Sequence, residues 1–292
     1  MEHIKFPNNF AGIPDKYSGY NNSKVAILPF PYEKTTCYVE GTEKGPAAII
    51  KASTEMELYD EELGNIFETG ICTLKALKVD NIAEEMIGIV SKEFRKLLNN
   101  KKFVVTLGGE HSITSGIVKS FKEKHKELSV LQIDAHADLR EDFEGTKYSH
   151  ACAMKRTMEI CPIVPVGIRS LSYGEAEFIK EKKLKIFWAK DIIGNDKWFD
   201  DAIGNLSKNV YITIDLDGFD PSIMPSVGTP EPGGLGYYQV LRFLKRVCEK
   251  RNVVGFDVVE LCPNEHNVSP DFTAARLIYK LIGYAFCKKL KE

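Results

Sequence analysis

Short apolar runs alternate with amphipathic segments along most of the chain, and this alternation predicts an α/β fold. Each run has the length of a buried strand and gives way to glycine, proline or polar residues. Eight strands are predicted, at residues 25–30, 66–74, 103–107, 129–133, 163–168, 184–188, 210–214 and 253–259. Helices are predicted at residues 45–59, 80–98, 112–126, 237–250 and 271–290. Continuous apolar strands separated by helices indicate a mostly parallel sheet that is covered on both faces.

The first 24 residues do not share this pattern. They include several Pro, Gly and Asn residues and have little periodicity, so we expect residues 1–24 to form an irregular surface arm. The remainder contains neither a segment of linker composition nor a repeat. Residues 25–292 are therefore predicted to form a single domain.

The overall composition argues against several classes of function. The 292 residues are 43% hydrophobic and 27% charged, with a formal net charge of −2, so nothing favours binding to nucleic acid. No apolar run approaches the roughly 20 residues that span a bilayer, and the N-terminal residues do not resemble a signal peptide. We expect a cytoplasmic protein that binds neither nucleic acid nor a membrane.

Seven cysteines form an odd set without Cys-x-x-Cys spacing. This usage favours free thiols in a reducing compartment over a disulfide framework or a zinc site. The cysteines are Cys37, Cys72, Cys152, Cys161, Cys248, Cys262 and Cys287. We interpret Cys152 as a small core residue.

Three potential metal ligands directly follow the predicted strand at 129–133. Asp134, His136 and Asp138 occupy alternating positions. In extended backbone, side chains at such positions point to the same side. The three side chains are thus predicted to converge at the end of a buried strand, where open α/β sheets usually bind their ligands.

Polar residues also follow three other predicted strands. His111 comes after the glycine pair Gly108-Gly109, Asp215 and Asp217 follow the strand at 210–214, and Glu260 follows the last strand. Singly, an aspartate at a strand end is usually a turn or N-cap residue. Together, several carboxylates buried near one another need cations to neutralise them. We predict two divalent ions held by four Asp and two His: His111, Asp134, His136, Asp138, Asp215 and Asp217.

The predicted ligands also indicate a type of metal and of substrate. Oxygen-rich ligands suit harder ions such as manganese, and imidazole extends the range to iron, cobalt, nickel and zinc. Two divalent ions, four aspartates, a shared hydroxide and Glu260 sum to a charge of about −2, which favours a cationic substrate. Two such ions generate hydroxide at neutral pH. Hydrolysis of a cationic carbon centre is the predicted chemistry.

The motifs Gly-Gly-Glu-His-Ser, Asp-Ala-His-Ala-Asp and Asp-Leu-Asp-Gly-Phe-Asp-Pro resemble those of the ureohydrolase family, which includes arginases and agmatinases. The resemblance covers residues 25–287. It implies an α/β fold in the form of a three-layer α-β-α sandwich with about eight mostly parallel strands. It also implies a hydrolase with two Mn²⁺ per subunit, and a homo-oligomer that is a trimer or a hexamer.

The resemblance further implies roles for individual residues. Asp134 and Asp215 would bridge the ions, and Asp138 would also accept a hydrogen bond from the hydroxide. His150 matches the histidine that transfers a proton to the leaving amine. Glu260 matches the carboxylate that pairs with the guanidinium. Many relatives have Asp where Glu110 stands, but this position is not a ligand in the family pattern.

The loop before His150 bears on the substrate. Residues 139–149 contain no Asn and three acids, a pattern that resembles agmatinases and favours agmatine as substrate, with putrescine and urea as products of polyamine biosynthesis. The acids are Glu141, Asp142 and Glu144. They could instead face solvent, and Arg140 or Lys147 could receive the carboxylate of 4-guanidinobutyrate. Aminopropylagmatine and arginine are further alternatives.

Two other functions compete with guanidine hydrolysis. A metal-dependent deacetylase shares the fold family but carries adjacent histidines, and this chain has no His-His pair. A non-catalytic regulator of the same family would be expected to have lost ligands. Here all six predicted ligands are present together with His150 and Glu260.

Overall fold

The computed structural model describes the backbone of residues 1–290 and the side chains of residues 1–286, so Cys287 lies outside the described side chains. Its strands are β1 His3–Ile4, β2 Val25–Phe30, β3 Tyr59–Asp60, β4 Gly64–Asn65, β5 Ile71–Leu74, β6 Phe103–Gly108, β7 Leu128–Ile133, β8 Ile163–Ile168, β9 Phe187–Trp188, β10 Asn209–Asp215 and β11 Asn252–Val259. Its α-helices are α1 Asp15–Ser18, α2 Gly45–Ser53, α3 Ala83–Asn99, α4 Thr114–Lys124, α5 Ala153–Met158, α6 Tyr173–Lys182, α7 Ala189–Ile192, α8 Phe199–Gly204, α9 Tyr237–Lys250 and α10 Ser269–Leu290.

A nine-stranded sheet in the order β1-β5-β2-β6-β11-β10-β7-β8-β9 is the centre of the described structure. Neighbouring strands are parallel except at the edge, where β1 pairs with β5 in the antiparallel sense. β3 and β4 form a separate antiparallel pair. The predicted mostly parallel sheet of about eight strands is confirmed. The sequence pattern does not reveal its edge strand β1, nor the separate pair β3 and β4.

Helices cover both faces of the sheet. Alternate side chains of β2 illustrate this, because Val25 and Ile27 pack into one core, with α2, α9 and α10. Ala26 and Leu28 pack into the other core, with α3 and α4. Strands buried on both faces need continuous apolar runs, as the sequence has. The fold is therefore a three-layer α-β-α sandwich, and none of its described helices is long and apolar enough to cross a membrane.

The N-terminal segment differs from its prediction. Phe10, Ala11 and Ile13 are buried in the core rather than exposed in a surface arm. Burial is possible here because backbone N–H groups find side-chain acceptors: that of Phe10 donates to Thr73 Oγ1 at 2.8 Å and that of Ala11 to Ser53 Oγ at 2.8 Å. The prediction of an irregular arm over residues 1–24 is thus wrong for its central part.

Several predicted elements are shorter in the structure, among them the helix predicted at 112–126, which is Thr114–Lys124. The strand predicted at 66–74 is Ile71–Leu74, because Ile66–Thr69 forms a 3₁₀ turn that ends at Gly70 with a positive φ of 80°. The strand predicted at 184–188 is Phe187–Trp188. The helix predicted at 45–59 is Gly45–Ser53.

Candidate metal centre and active site

The carboxyl ends of four neighbouring strands, β6, β11, β10 and β7, meet at the centre of the sheet. The strand register aligns Leu107 with Val258, Val259 with Asp215, and Ile214 with Ile133. The polar residues that follow each strand therefore share one edge. These residues are His111, Asp134, His136, Asp138, Asp215, Asp217 and Glu260.

His111 lies at the centre of the first ligand group. Its Nδ1 is 3.2 Å from Asp134 Oδ2, 3.0 Å from Asp138 Oδ2 and 3.3 Å from Asp215 Oδ2. This buried nitrogen nevertheless has no hydrogen-bond partner of acceptable geometry. Bonds of about 2.1 Å to one ion would place neighbouring ligand atoms roughly 3.0–3.4 Å apart. The spacing and the unpaired nitrogen fit a divalent ion.

His136 and Asp217 form the second group, together with Asp134. His136 Nδ1 is 2.8 Å from Asp217 Oδ2 and 3.9 Å from Asp134 Oδ1. Asp134 belongs to both groups, so it could bridge two ions. The backbone N–H of Ala135 donates to Asp217 Oδ1 at 3.0 Å, and that of His136 donates to Asp134 Oδ1 at 2.6 Å. These bonds orient both carboxylates.

A buried network behind His111 fixes its ring. His111 Nε2 lies 2.8 Å from Thr213 Oγ1, which donates to Asp257 Oδ1 at 2.6 Å. Tyr211 and Thr114 donate to the other Asp257 oxygen, at 2.8 and 3.0 Å. Partners of this kind set the tautomer and orientation of a ligating histidine. Sequence reasoning missed Asp257, although a carboxylate inside the apolar run at 253–259 is a signal that could have revealed it.

The pKa values reflect the crowding of carboxylates. Burial, with the charges of Asp138 and Asp217, raises the pKa of Asp134 to about 7. Burial and neighbouring carboxylates also raise the pKa values of Asp215 and Glu260 well above their usual range. Burial alone would lower the pKa values of His111 and His136. The carboxylates that face them outweigh this effect and raise both pKa values, that of His136 to about 11. Divalent cations would replace these retained protons, so the donor set fits two metal ions.

Two of the predicted site residues have backbones in the left-handed region. The φ angles are 54° for Asp138 and 66° for Glu260. Such conformations are costly for side chains with a Cβ and are concentrated at functional sites. β7 ends at Ile133, so the extended alternation assumed from sequence is wrong for Asp138. A turn, rather than a continuing strand, brings this carboxylate towards His111.

His150 lies at the mouth of the site and is held by the loop that follows β2. Its backbone N–H donates to Thr35 Oγ1 at 3.0 Å, and its Nδ1 lies 3.3 Å from the same oxygen. Cys37 Sγ is 3.7 Å from His150 Nε2. Glu110, fully buried, accepts from the backbone N–H groups of Lys34 and Thr35 at 2.6 and 2.7 Å. Glu110 thus organises the loop without joining the ligand groups.

A cavity of about 280 Å³ opens above the two ligand groups. Glu260, His150, Cys37, Arg140 and Phe143 line it. None of the three loop acids does: Glu141, Asp142 and Glu144 are exposed. Glu141 pairs with Lys155 and Arg156 at 3.1 and 3.0 Å. The alternative that these acids face solvent is the one that the structure supports. Cys152, interpreted as a core residue, is fully buried.

Comparison with known proteins identifies close relatives over nearly the whole chain. A model of the arginase family matches residues 23–283. An N(1)-aminopropylagmatine ureohydrolase of Synechocystis sp. is 41% identical over 95% of this chain and 96% of its own length, and that of Thermus thermophilus is 39% identical over 92% of each. The crystal structure of an agmatine ureohydrolase of Thermoplasma volcanium has a TM-score of 0.88 and 31% identity, covering 98% of this chain and 96% of that one.

Proposed function

The chain belongs to the arginase family, whose members hydrolyse guanidino C–N bonds, and from that premise we propose that it releases urea from N(1)-aminopropylagmatine. The position of Glu260 supports a guanidine as substrate, and the 41% and 39% identical relatives, both named N(1)-aminopropylagmatine ureohydrolase, support the choice of this one. The buried carboxylate of Glu260 lines the cavity beside both ligand groups, where it can meet a planar guanidinium. The sequence prediction of agmatine as substrate depended on three loop acids that are exposed, so its main support is gone.

We propose that the resident cofactor is a pair of Mn²⁺ ions. His111, Asp134, Asp138 and Asp215 would hold one ion, and His136, Asp217, Asp134 and Asp215 would hold the other. Four carboxylates and two imidazoles without a thiolate form a set that suits manganese. When bound, such a pair supplies activated water for hydrolysis.

The remaining roles belong to side chains of the cavity. Glu260 would orient the substrate by charge-assisted hydrogen bonds to the guanidinium nitrogens. Asp138 would accept a hydrogen bond from the attacking water. His150 Nε2 would deliver a proton to the leaving amine, because Nδ1 is occupied by Thr35 and the other nitrogen faces Cys37 in the cavity. These assignments agree with the roles that the family resemblance implies.

Agmatine is the second candidate substrate. The Thermoplasma volcanium structure, which covers 98% of this chain, is named as an agmatine ureohydrolase. Both candidates present the same guanidinium to Glu260 and differ in the length of the tail beyond it. The side chain of Tyr38, at the cavity mouth, is exposed, so a longer cationic tail would extend past it into water.

Urea release from the Mn²⁺-loaded protein tests the proposal. The substrates are N(1)-aminopropylagmatine, agmatine, 4-guanidinobutyrate and arginine, with acetyl-lysine as a control for deacetylation. We expect kcat/KM to be highest for aminopropylagmatine and agmatine to be second. Preference for arginine or 4-guanidinobutyrate would overturn the substrate assignment. Two bound ions without urea from any guanidine would instead favour a regulator. Cytoplasmic location and assembly as a trimer or hexamer remain predictions.

A further inference from the structure

Arg169 contacts two of the segments that carry candidate ligands, one through its side chain and one through its backbone. Its guanidinium contacts the turn after β10, which bears Asp217, and its backbone contacts the segment after β7, which bears His136. We propose that Arg169 is a positioning residue that fixes Asp217 as a ligand of one of the two ions. The inference rests on the proposed metal centre and concerns the affinity of a single ion position.

The guanidinium contacts are numerous, and each one ends on a backbone carbonyl. Arg169 Nη2 donates to the carbonyl of Asp217 at 2.7 Å and to that of Phe219 at 3.1 Å, and Nη1 donates to that of Gly218 at 3.3 Å. The same side chain reaches the carbonyls of Gly167 at 3.1 Å, Pro232 at 3.1 Å and Glu231 at 2.8 Å. Three segments of the chain are thus tied together by one side chain. Its contribution is to geometry, because no carboxylate of the metal centre is among these acceptors.

Hydrogen bonds of the Arg169 backbone also connect it to Asp217, by way of Ala135. The N–H groups of Arg169 and Ser170 donate to the carbonyl of Ala135 at 2.8 and 3.0 Å. The N–H of Ala135 in turn donates to Asp217 Oδ1 at 3.0 Å. Asp217 returns to Arg169 through its own carbonyl. These hydrogen bonds hold both the backbone and the carboxylate of Asp217, so the carboxylate has little freedom to turn away from His136.

The turn after β10 packs closely against the backbone of neighbouring segments at two glycines. A Cβ at Gly218 would lie 2.8 Å from the backbone N of Asp134, and one at Gly234 would lie 2.4 Å from that of Asp220. Real Cβ atoms essentially never come within about 3 Å of such atoms, so neither glycine leaves room for a side chain and the backbones lie in close contact. Without the guanidinium, six carbonyls on three segments would lose a donor. The loop bearing Asp217 would then keep only its bond from the N–H of Ala135 and its backbone bonds to Leu235 and within the turn.

Arginine suits this position better than lysine would. Guanidinium offers five N–H donors in a planar fork, whereas an ammonium offers three donors at one point. A lysine at 169 would keep the positive charge near Asp217 but could not span carbonyls of three segments. Arg169→Lys therefore separates the positioning role from the charge.

Mn²⁺ binding to the metal-free protein tests the inference without any substrate. Isothermal titration and the electron paramagnetic resonance signal of free Mn²⁺ give the affinity of each ion. We expect Arg169→Lys to bind one ion as tightly as the wild type and the second at least about tenfold more weakly, as loss of an outer partner of a ligand usually does. His136→Asn, which removes a ligand of the same ion, provides the reference for a weakened second position.

Arg251→Lys is the matched control. Arg251 also donates to three backbone carbonyls, those of Leu206, Ile203 and Lys250, but it lies at the amino end of β11, away from the site. We expect this variant to lose some thermal stability and to bind both ions as the wild type does. If Arg169→Lys does not fold, as judged by circular dichroism, Arg169→Gln takes its place, since its amide keeps two donors.

The outcomes separate this inference from the proposed metal centre. Wild-type protein that binds fewer than two ions overturns the metal centre and the role of Arg169 with it. Two ions in the wild type and two unchanged affinities in the variant overturn only the role of Arg169. Equal weakening of both ions also overturns it, because a general loss of structure would then suffice. Selective weakening of the second ion supports the inference.

Discussion

Among single residues, Glu260 carries the most specific prediction. Glu260→Gln keeps an oxygen that can accept from the backbone N–H of His111, a bond of 2.6 Å in the structure. It removes the charge that we propose pairs with the guanidinium of the substrate. Since a hydrogen bond to a charged group contributes about 1.5–3 kcal/mol, we expect kcat/KM to fall about 10- to 150-fold. Urea release measured across substrate concentrations, with the Mn²⁺ content of the same sample, gives the result.

Glu141→Gln is the matched control for Glu260→Gln. Its side chain is 60% exposed and pairs with Arg156 outside the cavity, so we expect kcat/KM to stay within about twofold of the wild type. Full activity of Glu260→Gln would contradict the assigned role. A lowered metal content in that variant would show instead that the carboxylate supports the ions.

Cys37 is predicted to be the thiol whose modification inactivates the enzyme. It is exposed and lies in the cavity, 3.7 Å from His150 Nε2, whereas Cys72, Cys152 and Cys161 are buried. Partial desolvation of the thiol in the cavity and the charge of Glu144 raise its pKa above the usual value. Iodoacetamide should therefore inactivate the enzyme faster as the pH rises from 8 to 10, because more thiolate forms.

Two controls define this prediction for Cys37. Saturating substrate should slow the inactivation, since it fills the same cavity. Cys37→Ser should remain active and resist iodoacetamide. Inactivation of Cys37→Ser at the wild-type rate would place the sensitive thiol elsewhere.

At the scale of elements, the turn after β6 depends on glycine. A Cβ at Gly109 would lie 2.2 Å from the carbonyl oxygen of Tyr32, and the carbonyl of Gly109 accepts the backbone N–H of Glu260 at 2.8 Å. We expect Gly109→Ala to destabilise the fold by at least about 3 kcal/mol and to lower activity, because overpacking against backbone has no cheap relief. Chemical denaturation measures the first effect and urea release the second.

Gly88 in α3 provides the opposite case. It is exposed, and nothing lies within 4 Å of a Cβ built there. Gly88→Ala should therefore stabilise the protein by about 0.5–1 kcal/mol, the usual gain for alanine in a helix interior. A similar loss of stability in both variants would show that the tight contact at Gly109 is not the cause.

The strands are more predictable than the helices, for a physical reason. A strand buried on both faces leaves a continuous apolar run, so β2 and β8 have the predicted bounds. The helix α6 is not predicted, because only Glu175 and Ile179 among its residues are buried and its apolar stripe is weak. Residues 66–74 are apolar enough for a strand, but the turn at Gly70 divides them.

In the candidate site, too, some residues can be recognised from their place in the sequence, whereas others depend on contacts with distant parts of the chain. The predicted ligands and Glu260 lie together because each stands at or shortly after the carboxyl end of a parallel strand, a property that sequence order reveals, whereas His150 lies beyond the loop that follows β7. Arg169 also follows a parallel strand, β8, but this position does not reveal its role, and Asp257 lies inside β11. Arg169 acts on carbonyls that only the fold brings near, and Asp257 acts through Thr213 of the neighbouring strand. The left-handed backbone of Asp138 likewise has no sequence signature.

At the scale of the whole molecule, the buried charges connect metal binding to stability and pH. Without metal, the pKa of Asp134 is raised to about 7 in the folded protein. A raised pKa stabilises the fold below the unfolded value of about 3.9, and this contribution is lost as the pH rises towards 7. The raised pKa of His136, about 11, acts in the same direction from about pH 6.5 upwards. The metal-free protein should therefore lose stability between pH 6 and pH 8.

Metal ions should reverse this trend, because they bind the deprotonated ligands. Each proton displaced on binding adds about 1.4 kcal/mol of binding free energy per pH unit. The rise in Tm on adding Mn²⁺ should therefore grow from pH 6 to pH 8, as differential scanning fluorimetry with an EDTA-treated reference can measure. His136→Asn lacks one of the titrating ligands and should show a shallower increase. A rise in Tm that is independent of pH would mean that the carboxylates and imidazoles of this site are not the groups that the ions neutralise.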